Sequence, residues 1–94
     1  MHFIFTAHDK AGALEIRLAN RDDHVAFLKD NAATIKVAGP LLSDDGQMIG
    51  SSLICEAEDK AALEAVMATD PYAKAGLFES SSIVPWKWVI GAPE

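Results

Sequence analysis

From His2 to His8 the chain alternates, with Phe3 and Phe5 on one side and Ile4 on the other, and this two-residue period predicts a first strand. Asp9-Lys10-Ala11-Gly12 interrupts it. From Ala13 to about Asn31 the spacing changes to threes and fours. Leu14, Leu18, Val25, Leu28 and Ala32 form a helical stripe, with Arg21 in the slot that no hydrophobe fills. Asn20 and Asp22 are mediocre helix formers and allow a break near Asn20. Thr34 to Leu42 is β-prone, Ser43-Asp44-Asp45-Gly46 reads as a hairpin turn, and Gln47 to Ala57 is the returning strand. Asp59 can cap a second helix running through Thr69, with Leu63, Val66 and Met67 on its buried face. Asp70-Pro71 starts a short turn or helix that Gly76 ends, and Ser80 to Ile90 is the last strand.

The order β-α-β-β-α-β is the split βαβ pattern. It predicts an α+β, ferredoxin-like antiparallel sheet with both helices on one face. Pro85 inside the last strand requires an edge or a bulge, and the last strand of this topology is an edge. The opposite sheet face also reads as apolar. Ile49, Leu53 and Cys55 point one way and Met48 and Ile54 the other, and Trp86 and Trp88 oppose Val89 and Pro85. A sheet with one wet face should alternate cleanly. The remedy is a second copy packed sheet against sheet, so a homodimer with a dimeric α/β-barrel interface is expected.

Ninety-four residues, half of them hydrophobic, fit a single domain over residues 1–94. The net charge of −6 and the lack of a Lys/Arg cluster argue against nucleic acid as a partner. No apolar run approaches the roughly 20 residues of a membrane span, and Met1 to His8 is too short for a signal sequence. The single cysteine, Cys55, cannot form an internal disulfide and fits a reducing, cytoplasmic setting. On a strand interior it reads as a small hydrophobe rather than a nucleophile.

Chemistry concentrates in four residues. Arg17, Arg21 and His24 share a helix face, where two guanidiniums and an imidazole can hold an anion. The bland alternative is a solvated basic face paired with Asp22 and Asp23, and for Arg17 it is the stronger reading. His24 is the only histidine in a helix, and histidine titrates near neutrality, which suits proton transfer. Asp70 extends the apolar face Leu63-Val66-Met67, so its carboxylate must be solvated or paired. Asp before Pro is also a good helix N-cap, which alone would explain it. The functional reading pairs Asp70 with His24, as the third member of a catalytic triad holds its imidazole. With strands one and three as parallel neighbours the two helices run parallel. His24 then reaches Asp70 only if the first helix starts near Gly12, about 18 Å upstream at ~1.5 Å per residue. His8, His24 and Asp70 lack metal-ligand spacing, and no phosphate loop or serine-hydrolase elbow exists, so no metal or cofactor is expected.

Together the segments Arg21-Asp22-Asp23-His24, Ala38-Gly39-Pro40-Leu41-Leu42, Asp45-Gly46, Asp70-Pro71-Tyr72-Ala73-Lys74-Ala75-Gly76-Leu77-Phe78 and Pro85-Trp86-Lys87-Trp88-Val89-Ile90-Gly91 resemble the YCII-related (YciI-like) family over essentially the whole chain. The resemblance implies a ferredoxin-like fold, a dimeric α/β barrel, and a pocket centred on a histidine and an aspartate, here His24 and Asp70. It also implies a lyase-like step, since a relative is a dehydrochlorinase of a chlorinated hydroxyquinol. The sequence thus leaves three readings. The first is a small acid/base enzyme, with His24 moving a proton, Asp70 orienting it, and Arg21 and Arg17 holding an anionic or phenolic molecule. The second is a non-catalytic ligand-binding or accessory module with the same pocket. The third treats both residues as packing only.

Overall fold

The computed structural model describes residues 1–93. Eight elements follow in order: β1 (His2–Asp9), α1 (Leu14–Ala19), α2 (Arg21–Asp30), β2 (Ile35–Leu42), β3 (Met48–Glu56), α3 (Lys60–Met67), α4 (Pro71–Lys74) and β4 (Phe78–Trp86). The sheet order is β2-β3-β1-β4, and every pair is antiparallel. Alternation sets the faces. Phe3, Phe5 and Ala7 of β1 lie beside Cys55, Leu53 and Ser51 of β3, and Phe27, Leu63 and Met67 of the helices close over them. Ala13, Tyr72 and Leu77 make a second small cluster at the Asp9 end.

The antiparallel pairing of β1 with β3 corrects the expectation of parallel neighbours. It reverses the helix geometry as well. The chain after α2 returns to the Met1 end, where the Glu56 N–H donates to the Thr34 carbonyl. The chain after α3 arrives at the other end, where Phe78 pairs with Asp9. The two helices therefore run in opposite directions, and the start of α2 meets the end of α3.

Helix one is not continuous. The Asn20 backbone N–H and side-chain amide both donate to the Ile16 carbonyl, which ends α1, and α2 restarts at Arg21. The leucine stripe is also not the buried one, since Leu14 and Leu18 are 40% and 52% exposed and Val25 is exposed too. The buried positions are Arg17, His24 and Phe27. Hydropathy alone misassigns this face because partners distant in sequence satisfy the polar groups on it.

Two further boundaries differ from expectation. Leu41 pairs with Gly50 and Leu42 with Met48, which leaves Ile49 as the extra residue of a bulge. Ile49 is therefore exposed and does not join Leu53 and Cys55 in the core. β4 runs from Phe78 to Trp86, so Trp88, Val89 and Ile90 lie beyond it, although Pro85 does sit on an edge strand. Asp59 caps α3 through the Ala62 N–H at 2.8 Å. On the face away from the helices, Val37, Ile54, Ile4 and Val84 line up across all four strands, with Val84 54% exposed. No helix among the described residues is long and apolar enough to cross a membrane.

Candidate functional site

The antiparallel helices bring the first turn of α2 against the Asp70-Pro71 junction. His24 Nδ1 lies 2.8 Å from Asp70 Oδ1. That same oxygen accepts the Tyr72 N–H at 3.0 Å, and Pro71 occupies the first position of α4. Asp70 therefore both caps the turn and faces the histidine. The pairing anticipated from sequence is present, but the break at Asn20 and the helix reversal produce it, not a long helix one. Asp70 is 1% exposed, and its Oδ2 has no hydrogen-bond partner. An ionised Asp70 requires a proton on Nδ1, so neutral His24 presents the Nε2 lone pair. Nε2 makes no hydrogen bond among the described residues.

The histidine is held by its faces too. Its ring stacks on Tyr72 at 3.9 Å between centroids and 13° between planes, and Phe27 stacks at 6.3 Å. The Arg17 guanidinium carbon lies 4.7 Å from the centre of the Tyr72 ring.

Arg17 departs from the solvated-face reading. It is 3% exposed. Nε donates to Asp9 Oδ2 at 2.7 Å, and Nη2 reaches Asp9 Oδ1 at 3.0 Å, the Gly50 carbonyl at 2.8 Å and Ser51 Oγ at 2.9 Å. Its partner is Asp9 at the end of β1, not Asp22 or Asp23. Burial works to lower the Arg17 pKa, but the bonds and charge of Asp9, with the Tyr72 hydroxyl, together outweigh it, and the net direction is upward. Arg21 is exposed and forms no ion pair among the described residues.

Arg17, Arg21 and His24 open onto one cleft of about 150 Å³ between α1, α2 and the inner face of β2 and β3. Pro40, Met48 and Leu53 give it apolar walls, and Ser51 and Tyr72 add hydroxyls. It contains both arginines of a chain whose net charge is −6. Asp70 does not line it and lies behind the imidazole. Sequence reasoning assigned no role to Asp9, Ser51 or Tyr72. Ser51 had a readable signal, a hydroxyl in the alternation with Leu53 and Cys55. Asp9 had none.

His8 is exposed at the end of β1 and does not join this cleft. Among the described residues no group of three or more His, Cys, Asp or Glu side chains is placed to hold a metal ion. Cys55 is fully buried, and burial pushes its thiol up to about 11.

Fold and cleft together define a ferredoxin-like α+β protein with a His–Asp pair beside a small cationic cavity. The model of the YCII-related domain matches residues 1–87, and the chain belongs to that family. Protein YciI of Escherichia coli (strain CFT073) is 35% identical, over 95% of this chain and 99% of its own length. The solved structure of 5-chloro-2-hydroxyhydroquinone dehydrochlorinase (TftG) from Burkholderia phenoliruptrix, in complex with 2,5-dihydroxybenzoquinone, superposes with a TM-score of 0.85. It is 38% identical and covers 93% of this chain and 94% of that one. An antibiotic biosynthesis monooxygenase, at 17% identity, 94% and 97% coverage and a TM-score of 0.56, shares the fold alone.

Proposed function

We propose that this protein is a small-molecule enzyme in which His24 moves a proton within the cleft, Asp70 sets its tautomer, and Arg21 holds an anionic or phenolic ring. The observation that carries the reading is the 2.8 Å contact of a buried carboxylate with Nδ1 of a histidine that lines a cavity. A triad aspartate acts in this way, fixing the ring and stabilising the imidazolium without touching substrate. The likeness to TftG supports dehydrochlorination of a hydroxylated ring. In that step Nε2 takes a hydroxyl proton and returns it to the chlorine-bearing carbon. Loss of chloride with a second hydroxyl proton then leaves a hydroxybenzoquinone. The C–Cl bond becomes C–H as the hydroquinone becomes a quinone, so no external oxidant is consumed.

Chloride release from 5-chloro-2-hydroxyhydroquinone tests this. His24→Gln should lower kcat by about 10²- to 10⁴-fold, the usual contribution of general acid–base catalysis. Wild-type turnover by that variant would refute the role. Saturable binding with the ring returned unchanged would favour a ligand-binding or accessory module instead.

We further infer that two copies pack through the outer sheet face. The apolar row Val37-Ile54-Ile4-Val84 supports this, because no helix covers it and it would otherwise face water. A cytoplasmic setting fits the single cysteine, buried and unpaired.

A further inference from the structure

We propose that Arg17, Ser51 and Tyr72 form an oxyanion subsite in the wall of the cleft, so that the cavity selects a single ring carrying one anionic oxygen on that wall and a second reacting atom at His24. The inference rests on the reading of this cleft as the ligand site and names what determines its specificity.

All three side chains line the cavity and are nearly inaccessible, at 3%, 3% and 2% exposure. Each is a donor not fully used by the protein. The contacts of Arg17 with Asp9, Gly50 and Ser51 run through Nε and Nη2, and the guanidinium also interacts with the Tyr72 hydroxyl, which keeps its own proton to donate. Ser51 Oγ accepts from Arg17 Nη2, and its own proton has no acceptor among the described residues. Tyr72 keeps its phenolic proton at neutral pH, because burial pushes its pKa up against the pull of Arg17. Donors that line a cleft and lack a protein acceptor are completed by water or by a ligand, and an oxygen with free lone pairs can take the place of that water at all three. A carboxylate or carbonyl of the protein does not fill that place. Among the described residues, the only acidic groups bonded at the site, Asp9 and Asp70, serve Arg17 and His24 from the protein side.

Charge and size narrow the ligand. Asp9 balances Arg17 and Asp70 faces His24, which leaves Arg21 as the uncompensated cation. The cavity therefore favours a monoanion. Its volume of about 150 Å³ matches that of an engineered cavity known to hold one benzene ring. Tyr72 connects the two polar ends, stacking on His24 and lying against the Arg17 guanidinium. A ring oxygen bound at Arg17 therefore fixes where the rest of the ring meets the imidazole.

The test is titration calorimetry at pH 7 with 2-hydroxy-1,4-benzoquinone, whose single vinylogous acid is ionised at that pH, as the monoanionic probe and hydroquinone as an uncharged one. Ser51→Ala and Tyr72→Phe are conservative, and their unfolding midpoints verify folding. Each should weaken the anion by about tenfold or more, as loss of a hydrogen bond to a charged group does, and hydroquinone by less than about threefold. Unchanged anion affinity in both variants would overturn the subsite. So would an equal loss for both probes, or no wild-type binding of the anion up to millimolar concentration. The catalytic reading fails separately. A protein that binds the anion through Ser51 and Tyr72 yet releases no chloride keeps the subsite and loses the enzyme.

Discussion

Removing the Asp9 carboxylate by Asp9→Ala should be among the most destabilising polar changes in this fold. The Arg17 and Asp9 side chains are 4% and 7% exposed and meet at 2.7 Å, so solvent screens the pair little. Without Asp9, a guanidinium stays buried with only the Gly50 carbonyl and Ser51 hydroxyl as partners. Breaking a buried pair from one side costs about 3–5 kcal/mol, because the remaining charge is uncompensated. Against a total stability of about 5–15 kcal/mol this is a large fraction. At about 4–8 °C per kcal/mol for a domain of this size, the melting temperature should fall by roughly 12–40 °C. Thermal and urea unfolding followed by circular dichroism, at one fixed protein concentration, measure it. Arg17→Met should cost a similar amount by stranding Asp9. The double variant Asp9→Ala/Arg17→Met should cost well under the sum of the singles, since no buried charge is left over. A loss below about 1 kcal/mol for Asp9→Ala, as exposed pairs give, would refute the reasoning, as would strict additivity in the double variant.

Alkaline stability should report Cys55. Its thiol is held at about 11 against an ordinary 9.0, so the unfolded chain ionises first. Stability is then full below pH 9 and declines by about 3 kcal/mol as pH rises to 11. Cys55→Ala should remove that part of the pH dependence of the unfolding midpoint. Gly50→Ala should be poorly tolerated, because a Cβ there would overlap the Ala7 carbonyl oxygen and touch Leu41. A cost of about 1–3 kcal/mol or more is expected in chemical denaturation, and a neutral outcome would contradict the close strand approach at the bulge. Val84→Asp should convert the proposed dimer to monomer in light scattering. In an obligate monomer the same exposed position would tolerate the change within about 0.5 kcal/mol and leave the molecular mass unaltered.

Local chemistry in the sequence was sufficient for the order and type of the elements, but not for the split of the first helix or the end of the last strand. Alternation of Phe3, Phe5 and Ala7, the Asp-Gly turn, the Asp59 cap and the Asp-Pro start of α4 depend on neighbours within a few residues, so each is legible along the chain. The four-strand α+β pattern follows from their order, and the His24–Asp70 pair was visible as two titratable groups on core-facing positions. What tertiary structure decided was which polar groups are satisfied and by whom. Arg17 is buried and Leu18 exposed because Asp9, Gly50 and Ser51 converge on the guanidinium from two other strands. Sequence periodicity prices a charge as exposed and cannot see partners 8 to 34 residues away. The meeting of His24 with Asp70 likewise needed the antiparallel helices, a property of strand pairing rather than of either helix. The cleft, its arginines and its hydroxyls exist only once those distant segments are brought together.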